Sequence, residues 1–449
     1  MTCECRLMKL FYQIVCCSLF LFLTACGGGG SSTPTFTVGG TVSGLTSGSL
    51  VLKNNGGDAL TISANSTSFT FATALASGAD FAVTAGTQPN RLACKVANNT
   101  GTVASANVTG VTITCIAPVY VTNGISNTVS MYEMDATTGI LTPLATPTVA
   151  TGTSPASITV NPAGTFAYVI NYQSNTVSMY AINASTGILT ALSTPTVATG
   201  TEPTSIVVNP AGTFAYVVNL QNATVSMYAI NATTGILTPL ATPTVATGTF
   251  PKSIAVNHAG TFAYVANQGS STVSMYAINA TTGELTPLAT PTVATQLMPF
   301  SIAVNPAGTF AYVANNKSDT VSMYAINANT GILTPLATPT VATEIFPNSI
   351  VVNPAGTFAY VTNQASSNVS MYAINSTTGI LTALTTPTVA TEIFPNSIAV
   401  NPAGTFAYVA NNDSNTLSMY TINATTGILT ALTTPTVATG TDPTSVAFK

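Results

Sequence analysis

Short runs of apolar and polar residues alternate along most of this chain, and each run ends at a turn signal. In one example, Asn305–Gly308 offers a Pro that presets φ and a Gly that accepts positive φ, and Phe310–Val313 follows. The apolar spacing is two residues, and Thr, Val and Pro are abundant. This pattern predicts an all-β protein and argues against a helical repeat.

The alternating runs repeat every 48 residues without an insertion. A Tyr marks each copy: Tyr120, Tyr168, Tyr216, Tyr264, Tyr312, Tyr360 and Tyr408. Each unit supplies four short strands, called a to d, and four-stranded units of this period are typical of propeller blades. A β-solenoid is the alternative fold, although its coils are usually shorter.

The two ends of the repeat array are complementary. Strands b, c and d occur seven times from Val119, whereas the seventh strand a is Ser445–Phe448. We therefore predict a seven-bladed β-propeller over residues 118–449, closed by its C-terminal strand. Residues 36–117 contain β-branched runs between Gly-rich turns, which predicts a small β-sandwich of immunoglobulin-like type that acts as a spacer.

The N-terminal segment has the features of an export signal. Lys9 precedes an apolar run over Leu10–Leu23, and Leu23–Cys26 (Leu-Thr-Ala-Cys) resembles a bacterial lipobox. The resemblance implies a signal peptide over residues 1–25, lipidation of Cys26, and a Gly/Ser tether over residues 26–35. By the same resemblance, Gly27 after Cys26 favours location of the protein at the outer membrane or cell surface. The lipid on Cys26 would then attach the protein to the membrane. A plain cleaved signal is the alternative, and translation could start at Met1 or Met8.

Two cysteines remain in the mature chain. Cys94 and Cys115 should form a disulfide in an oxidising compartment. A two-cysteine metal site is the alternative, but no His lies nearby. The sequence also contains no EF-hand loop and no His pair, so we expect neither a metal nor a cofactor.

Composition restricts the possible functions. Hydrophobic residues make up 46% of the chain but charged residues only 4%, and the net charge is −4, whereas a typical domain is about 25% charged. The chain therefore has little material for acid–base chemistry. Arg occurs only at Arg6 and Arg91, which argues against nucleic-acid binding.

The Tyr-Val-x-Asn and Asn-Pro-Ala-Gly-Thr-Phe-Ala-Tyr-Val segments resemble the YVTN-type, lactonase-like seven-bladed propeller family. The resemblance covers Val119–Lys449. It implies either a 6-phosphogluconolactonase-like enzyme or an exported propeller without catalysis. The enzymes are expected to use Arg, His and acidic residues near the central channel. Here the propeller lacks Arg, and its single His258 replaces the Pro of one turn, so no catalytic residue transfers and we predict a non-enzyme.

The loops between strands d and a differ between the copies, and bulky apolar residues concentrate in four consecutive ones. These loops give a candidate binding face: Phe250, Lys252, Leu297, Met298, Phe300, Glu344, Ile345, Phe346, Glu392, Ile393 and Phe394. Alternatively, the apolar side chains plug the channel mouth or pack between blades. We predict a monomeric binding module for a protein, peptide or glycan. A lactonase-like hydrolase and a purely structural repeat are the alternatives.

Overall fold

The computed structural model describes residues 33–449. The predicted signal peptide, Cys26 and most of the predicted tether lie outside these residues. Within residues 33–449 there is no helix of the length and apolar character needed to cross a membrane. The first ten strands are β1 (Thr35–Phe36), β2 (Val38–Ser43), β3 (Ser49–Asn54), β4 (Asp58–Ser63), β5 (Ser68–Thr70), β6 (Leu75–Ala76), β7 (Asp80–Thr87), β8 (Ala93–Ala97), β9 (Thr100–Thr102) and β10 (Val108–Asn123).

Two small sheets enclose the first hydrophobic core. One contains β5, β2, the first half of β10, and β8, and the other has the order β4-β3-β7-β9. Leu50, Leu52, Phe71 and Val83 are fully buried between them. A disulfide joins Cys94 to Cys115, which lie opposite each other on β8 and β10. The immunoglobulin-like topology expected for this region stays a prediction.

Strand β10 is shared between the N-terminal region and the repeats. Its residues 112–116 pair with β8, and its residues 119–123 pair with strands of the first blade. The predicted boundary between residues 117 and 118 lies inside this strand. The N-terminal region therefore enters the repeats as continuous extended backbone.

The remaining strands form the blades. Blade 1 contains β11 (Thr128–Met134) and β12 (Leu141–Ala150), and blade 2 contains β13 (Pro155–Val160), β14 (Phe166–Asn171), β15 (Thr176–Ile182) and β16 (Leu189–Ala198). Blade 3 contains β17 (Pro203–Val208), β18 (Phe214–Asn219), β19 (Thr224–Ile230) and β20 (Leu237–Ala246). Blade 4 contains β21 (Pro251–Val256), β22 (Phe262–Asn267), β23 (Thr272–Ile278) and β24 (Leu285–Ala294).

Blades 5 to 7 repeat the pattern. Blade 5 contains β25 (Pro299–Val304), β26 (Phe310–Asn315), β27 (Thr320–Ile326) and β28 (Leu333–Ala342), and blade 6 contains β29 (Pro347–Val352), β30 (Phe358–Asn363), β31 (Asn368–Ile374) and β32 (Leu381–Ala390). Blade 7 contains β33 (Pro395–Val400), β34 (Phe406–Asn411), β35 (Thr416–Ile422) and β36 (Leu429–Ala438), and β37 (Pro443–Phe448) follows it.

The all-β, seven-bladed propeller is confirmed. Each of blades 2 to 7 is an antiparallel sheet in the order a-b-c-d, and the a strands contact one another around a central channel. Strand β37 supplies strand a of blade 1, because it pairs with β10 from Val119 opposite Phe448 to Asn123 opposite Pro443. It also contacts β33 on one side and β13 on the other, which completes the ring.

The propeller buries its apolar side chains between blades. In one cluster, Tyr168 and Met179 of blade 2 pack against Ile206, Val217 and Tyr228 of blade 3. The remaining interfaces have equivalent clusters, including the one between blades 7 and 1. Strands b and c are buried on both faces because each face contacts a different neighbour, which explains their almost continuous apolar sequence.

Two tyrosines per blade also cross these interfaces. The strand b Tyr donates its hydroxyl to a glycine carbonyl in the next blade, as Tyr168 does to Gly235, over 2.6–2.8 Å. The strand c Tyr donates to the end of strand d in the preceding blade, as Tyr180 does to Ala150, over 2.6–2.7 Å. Each interface is therefore bonded in both directions.

The N-terminal region docks on the a–b turn side of the propeller. Lys449 Nζ donates to the carbonyl of Leu92. The Asn90 carbonyl lies against Gly164, whose φ of +66° is in the left-handed region and whose position leaves no space for a Cβ. A glycine is therefore needed at position 164 for two reasons: it accepts the left-handed backbone conformation, and it lets the Asn90 carbonyl approach closely.

The buried tyrosines predict a loss of stability at alkaline pH. Burial raises the pKa of Tyr180, Tyr276 and Tyr324 to about 12, against about 10 in an unfolded chain. Above pH 10 the unfolded chain releases protons that the folded state retains. The free energy of unfolding is therefore intact below about pH 10 and falls between about pH 10 and pH 12, by about 1.4 kcal/mol per pH unit for each such Tyr.

Thermal unfolding followed from about pH 8 to about pH 11 checks this expectation. High salt is the control, since it screens repulsion between surface charges and should leave the fall in place. A Tm that is constant across this range would contradict the role assigned to the buried phenols.

A pair of Gly→Ala variants tests the docking of the N-terminal region. Gly164 and Gly308 have φ values of +66° and +69°, but nothing lies within 4 Å of a Cβ at Gly308. Both G164A and G308A should lower the free energy of unfolding by about 1–2 kcal/mol through the backbone. Only G164A should also speed hydrogen exchange in the loop around Asn90. Equal exchange in the two variants would show that this contact is unimportant.

Candidate functional site

A β-bulge at the start of each strand a determines what lines the channel. In blade 4, Pro251 pairs with Asn267 and Ser253 with Ala266, so Lys252 is an extra residue without a partner. Bulges re-aim side chains and occur next to active sites. Here Lys252 and Ser253 both face the channel although they are adjacent in sequence. The equivalent bulge residues are Ala156, Thr204, Phe300, Asn348, Asn396 and Thr444.

A ring of serine hydroxyls surrounds the same cavity, which has a volume of about 330 Å³. The ring consists of Ser157, Ser205, Ser253, Ser301, Ser349, Ser397 and Ser445. Five of these hydroxyls accept a backbone N–H from the next blade over 3.2–3.5 Å, as Ser253 does from Ile302. A hydroxyl that accepts in this way keeps its own proton to donate, so the ring can present O–H donors to a bound molecule.

Lys252 is the cationic side chain of this cavity. Its Nζ lies 5.6 Å from the centre of the Phe300 ring, a cation–π contact between blades 4 and 5. Burial lowers the pKa of Lys252 below its usual value, because an ammonium group loses hydration in the channel. A lysine in this environment can give up its proton and act as a base.

A pair formed by Tyr172 and Glu202 lies on the blade 2 and 3 side of the mouth. Tyr172 lines the cavity, and burial together with a hydrogen bond to the Glu202 carboxylate raises its pKa to about 12. Glu202 immediately precedes strand β17. The Tyr172 hydroxyl therefore stays protonated at neutral pH and donates its proton to the Glu202 carboxylate.

The opposite wall is made of amides. Asn348 Nδ2 donates to Asn396 Oδ1 over 2.6 Å, and Gln364 Nε2 donates to the same oxygen over 3.2 Å. Asn396 Nδ2 donates in turn to the carbonyl of Thr444 over 3.1 Å. The channel thus has a titratable side in blades 2 to 4 and a neutral, hydrogen-bonding side in blades 6 and 7.

The loops at this mouth have strained backbone. In every d–a loop the residue before Pro has a φ between 49° and 65°, and none of these residues is Gly: Ser154, Glu202, Phe250, Met298, Phe346, Phe394 and Asp442. Backbone hydrogen bonds from the b–c loops hold these residues in place. For example, the backbone N–H of Gln268 donates to the carbonyl of Phe250 over 2.9 Å. Left-handed Phe is costly, by about 1–3 kcal/mol, and such strain clusters at functional sites.

The predicted binding-face residues divide into two groups. Lys252 and Phe300 belong to strands β21 and β25 and line the channel, so their expected place on the loops is wrong. The apolar loop side chains Phe250, Leu297, Ile345, Phe346, Ile393 and Phe394 are exposed, by up to 60% at Ile393. Glu344 and Glu392 are also exposed, whereas Met298 is half-buried. The binding role assigned to the exposed residues stays a prediction.

The sequence did not single out the rest of the channel. It missed Tyr172, Thr204, Asn348, Gln364, Asn396 and the serine ring. A signal was present, since the residue after each Pro of Pro-x-Ser-Ile varies between otherwise similar copies. Among residues 33–449, no group of three or more His, Cys, Asp and Glu side chains could hold a metal ion.

Solved structures with this fold include lactonases. A candidate 6-phosphogluconolactonase from Bacteroides fragilis has a TM-score of 0.66 and 21% identity, with 74% of this chain and 98% of that chain covered. A periplasmic gluconolactonase from Pseudomonas aeruginosa has a TM-score of 0.64 and 20% identity, with 74% and 99% covered. At this identity the likeness establishes the fold. A search of curated proteins gives no match.

A family model described as "Lactonase, 7-bladed beta-propeller" matches residues 119–300, 295–393 and 350–448. This match and the lactonases among the similar structures overturn two predictions from sequence. The prediction of a non-catalytic binding module is wrong, and so is the prediction of a non-enzyme. The comparisons favour the alternative, a lactonase-like hydrolase. Because the family model matches most of the length of this chain, the chain belongs to the lactonase family of seven-bladed β-propellers.

Proposed function

We propose that this protein hydrolyses a sugar lactone in the channel lined by Lys252. The observation that carries the proposal is an amine of lowered pKa inside a ring of hydroxyl donors, in a propeller of the lactonase family. An ester hydrolase needs a base for water and donors for the oxyanion that develops on the carbonyl. The channel offers both.

The reaction is the addition of water to the ring ester. The neutral form of Lys252, which the lowered pKa makes more populated, takes a proton from water as the water oxygen bonds to the lactone carbonyl carbon, and the carbonyl oxygen becomes an oxyanion. The bond between that carbon and the ring oxygen then breaks. The protonated Lys252 returns its proton to the departing ring oxygen, so the product is a hydroxy acid that ionises in water.

The serine that follows Lys252 and the equivalent serine of the next blade are the proposed oxyanion donors. Ser253 and Ser301 each accept a backbone N–H from the next blade, which leaves their O–H protons for the channel. Because both serines lie on rigid inner strands, their hydroxyls need little reorganisation when charge develops.

The lining also indicates the class of substrate. Asn348, Asn396 and Gln364 suit the hydroxyl groups of a sugar ring, which donate and accept hydrogen bonds. A phosphorylated substrate would need a permanent cation, but Lys252 must be neutral to act as the base, and Arg is absent from the cavity lining. We therefore favour an unphosphorylated sugar lactone of the gluconolactone type.

We further propose that the reaction takes place outside the cytoplasm, on a lipid anchor at Cys26. The support is the lipobox-like Leu23–Cys26 segment together with the disulfide between Cys94 and Cys115. Disulfides of this kind persist in exported proteins and are rare in the cytosol. Metabolic labelling with a fatty acid, compared between the intact chain and C26A, tests the anchor.

Variants of Lys252 test the catalytic role. With glucono-δ-lactone as substrate and spontaneous hydrolysis subtracted, K252M should lower kcat by about 10²-fold or more, the usual contribution of a general base. K252R should be equally inactive, because an arginine keeps the charge but does not release its proton. The measurement is proton release from the hydroxy acid product, followed with a pH indicator.

Lys317 provides the matched control. It is an exposed lysine on a b–c loop of the same face, so K317M should keep full activity. Full activity in K252R would show that charge, rather than proton transfer, is what Lys252 supplies. A wild-type rate equal to the spontaneous rate would refute the proposed function with this substrate class.

A further inference from the structure

A second cavity lies at the opposite end of the channel, between the propeller and the N-terminal region. Its volume is about 270 Å³, and its lining comprises Arg91, Val160, Asn161, Pro162, Pro210, His258, Phe448 and Lys449. The a–b turns form its propeller side. It is distinct from the Lys252 cavity, because strand β21 runs from Pro251 at one mouth to Val256 next to this one.

The concentration of cationic side chains in this cavity is unexpected for so uncharged a chain. The whole sequence contains eight Lys and Arg residues and one His. The single His and two of the eight others line this one cavity, and no side chain in its lining is acidic. Arg91 and His258 are exposed to the cavity mouth, whereas Lys449 is buried.

Each of the three residues lies in a segment whose backbone is held in place. His258 replaces the Pro of an Asn-Pro-Ala-Gly turn, so it is on a tight and regular part of the fold. Arg91 lies three residues after Gln88, in a loop that the Gln88 side chain closes by bonding both the N–H and the carbonyl of Cys94 over 3.0 and 2.8 Å. Lys449 Nζ donates to the carbonyl of Leu92, which fixes the same loop to the propeller.

We propose that this cavity binds a small oxyanion such as phosphate. Arg91 presents a planar fork of N–H donors that matches a phosphate or carboxylate. His258 offers a ring N–H in either protonation state, and the Lys449 ammonium has donors beyond the one used for Leu92. Arg91 lies outside the residues that match the lactonase family, so the site is an addition made by the N-terminal region and is independent of the proposed reaction.

Titration of the intact chain with inorganic phosphate, followed by calorimetry at constant ionic strength, tests the site. R91Q should weaken binding by about tenfold or more, since it removes a charge-assisted bidentate contact. H258P should weaken it several-fold. This substitution restores the turn found in the other blades and should therefore fold normally, as an unchanged Tm would verify.

K317Q is the control, because it removes a cation from the opposite face and should leave phosphate affinity unchanged. Equal affinity in wild type and R91Q, or no measurable heat in wild type, would overturn the site. So would an equal loss in K317Q, since that would indicate attraction by overall charge alone. The readout is binding, so the outcome does not depend on whether lactones are hydrolysed.

Discussion

The reciprocal tyrosine hydrogen bonds between blades are the interaction on which the ring depends. A blade buries its faces only against its neighbours, so each sheet is stable because the adjacent sheets are in register. The strand b and strand c tyrosines fix that register from both directions. Between blades 7 and 1 the same two bonds occur, from Tyr408 to Gly139 and from Tyr132 to Ala438. The closing interface is therefore as well bonded as the others.

The sequence alone was sufficient for the repeated part of this architecture. The 48-residue period, the alternation and the turn residues all describe local geometry that each copy adopts in the same way. The channel was harder to predict, because it depends on a departure from alternation. Strict period-2 reasoning sends Lys252 and Ser253 to opposite faces, whereas the bulge after Pro251 brings both to the channel. Similarly, nothing local connects Arg91 with His258, which only tertiary structure places together.

A symmetric scaffold here carries an asymmetric site. The serine ring and the backbone hydrogen bonds repeat around the axis. The bulge also repeats, but the type of residue at the bulge, immediately before each serine, differs between blades. One blade contributes an amine, the next an aromatic ring, and the two after it an amide each. Substitution of Lys252 or Phe300 changes the chemistry of the channel and removes nothing from the hydrophobic clusters between blades, since neither side chain belongs to them.

The pairing of β37 with β10 also has a kinetic consequence. The two strands are joined by contacts such as that between Thr122 and Thr444, which are 322 residues apart in the chain. Contacts of such long range form slowly, because the chain must first lose the entropy of closing a large loop before the contacts can stabilise it. Until β37 has been synthesised, blade 1 presents an unpaired inner edge, so the growing chain needs protection from aggregation up to its last strand.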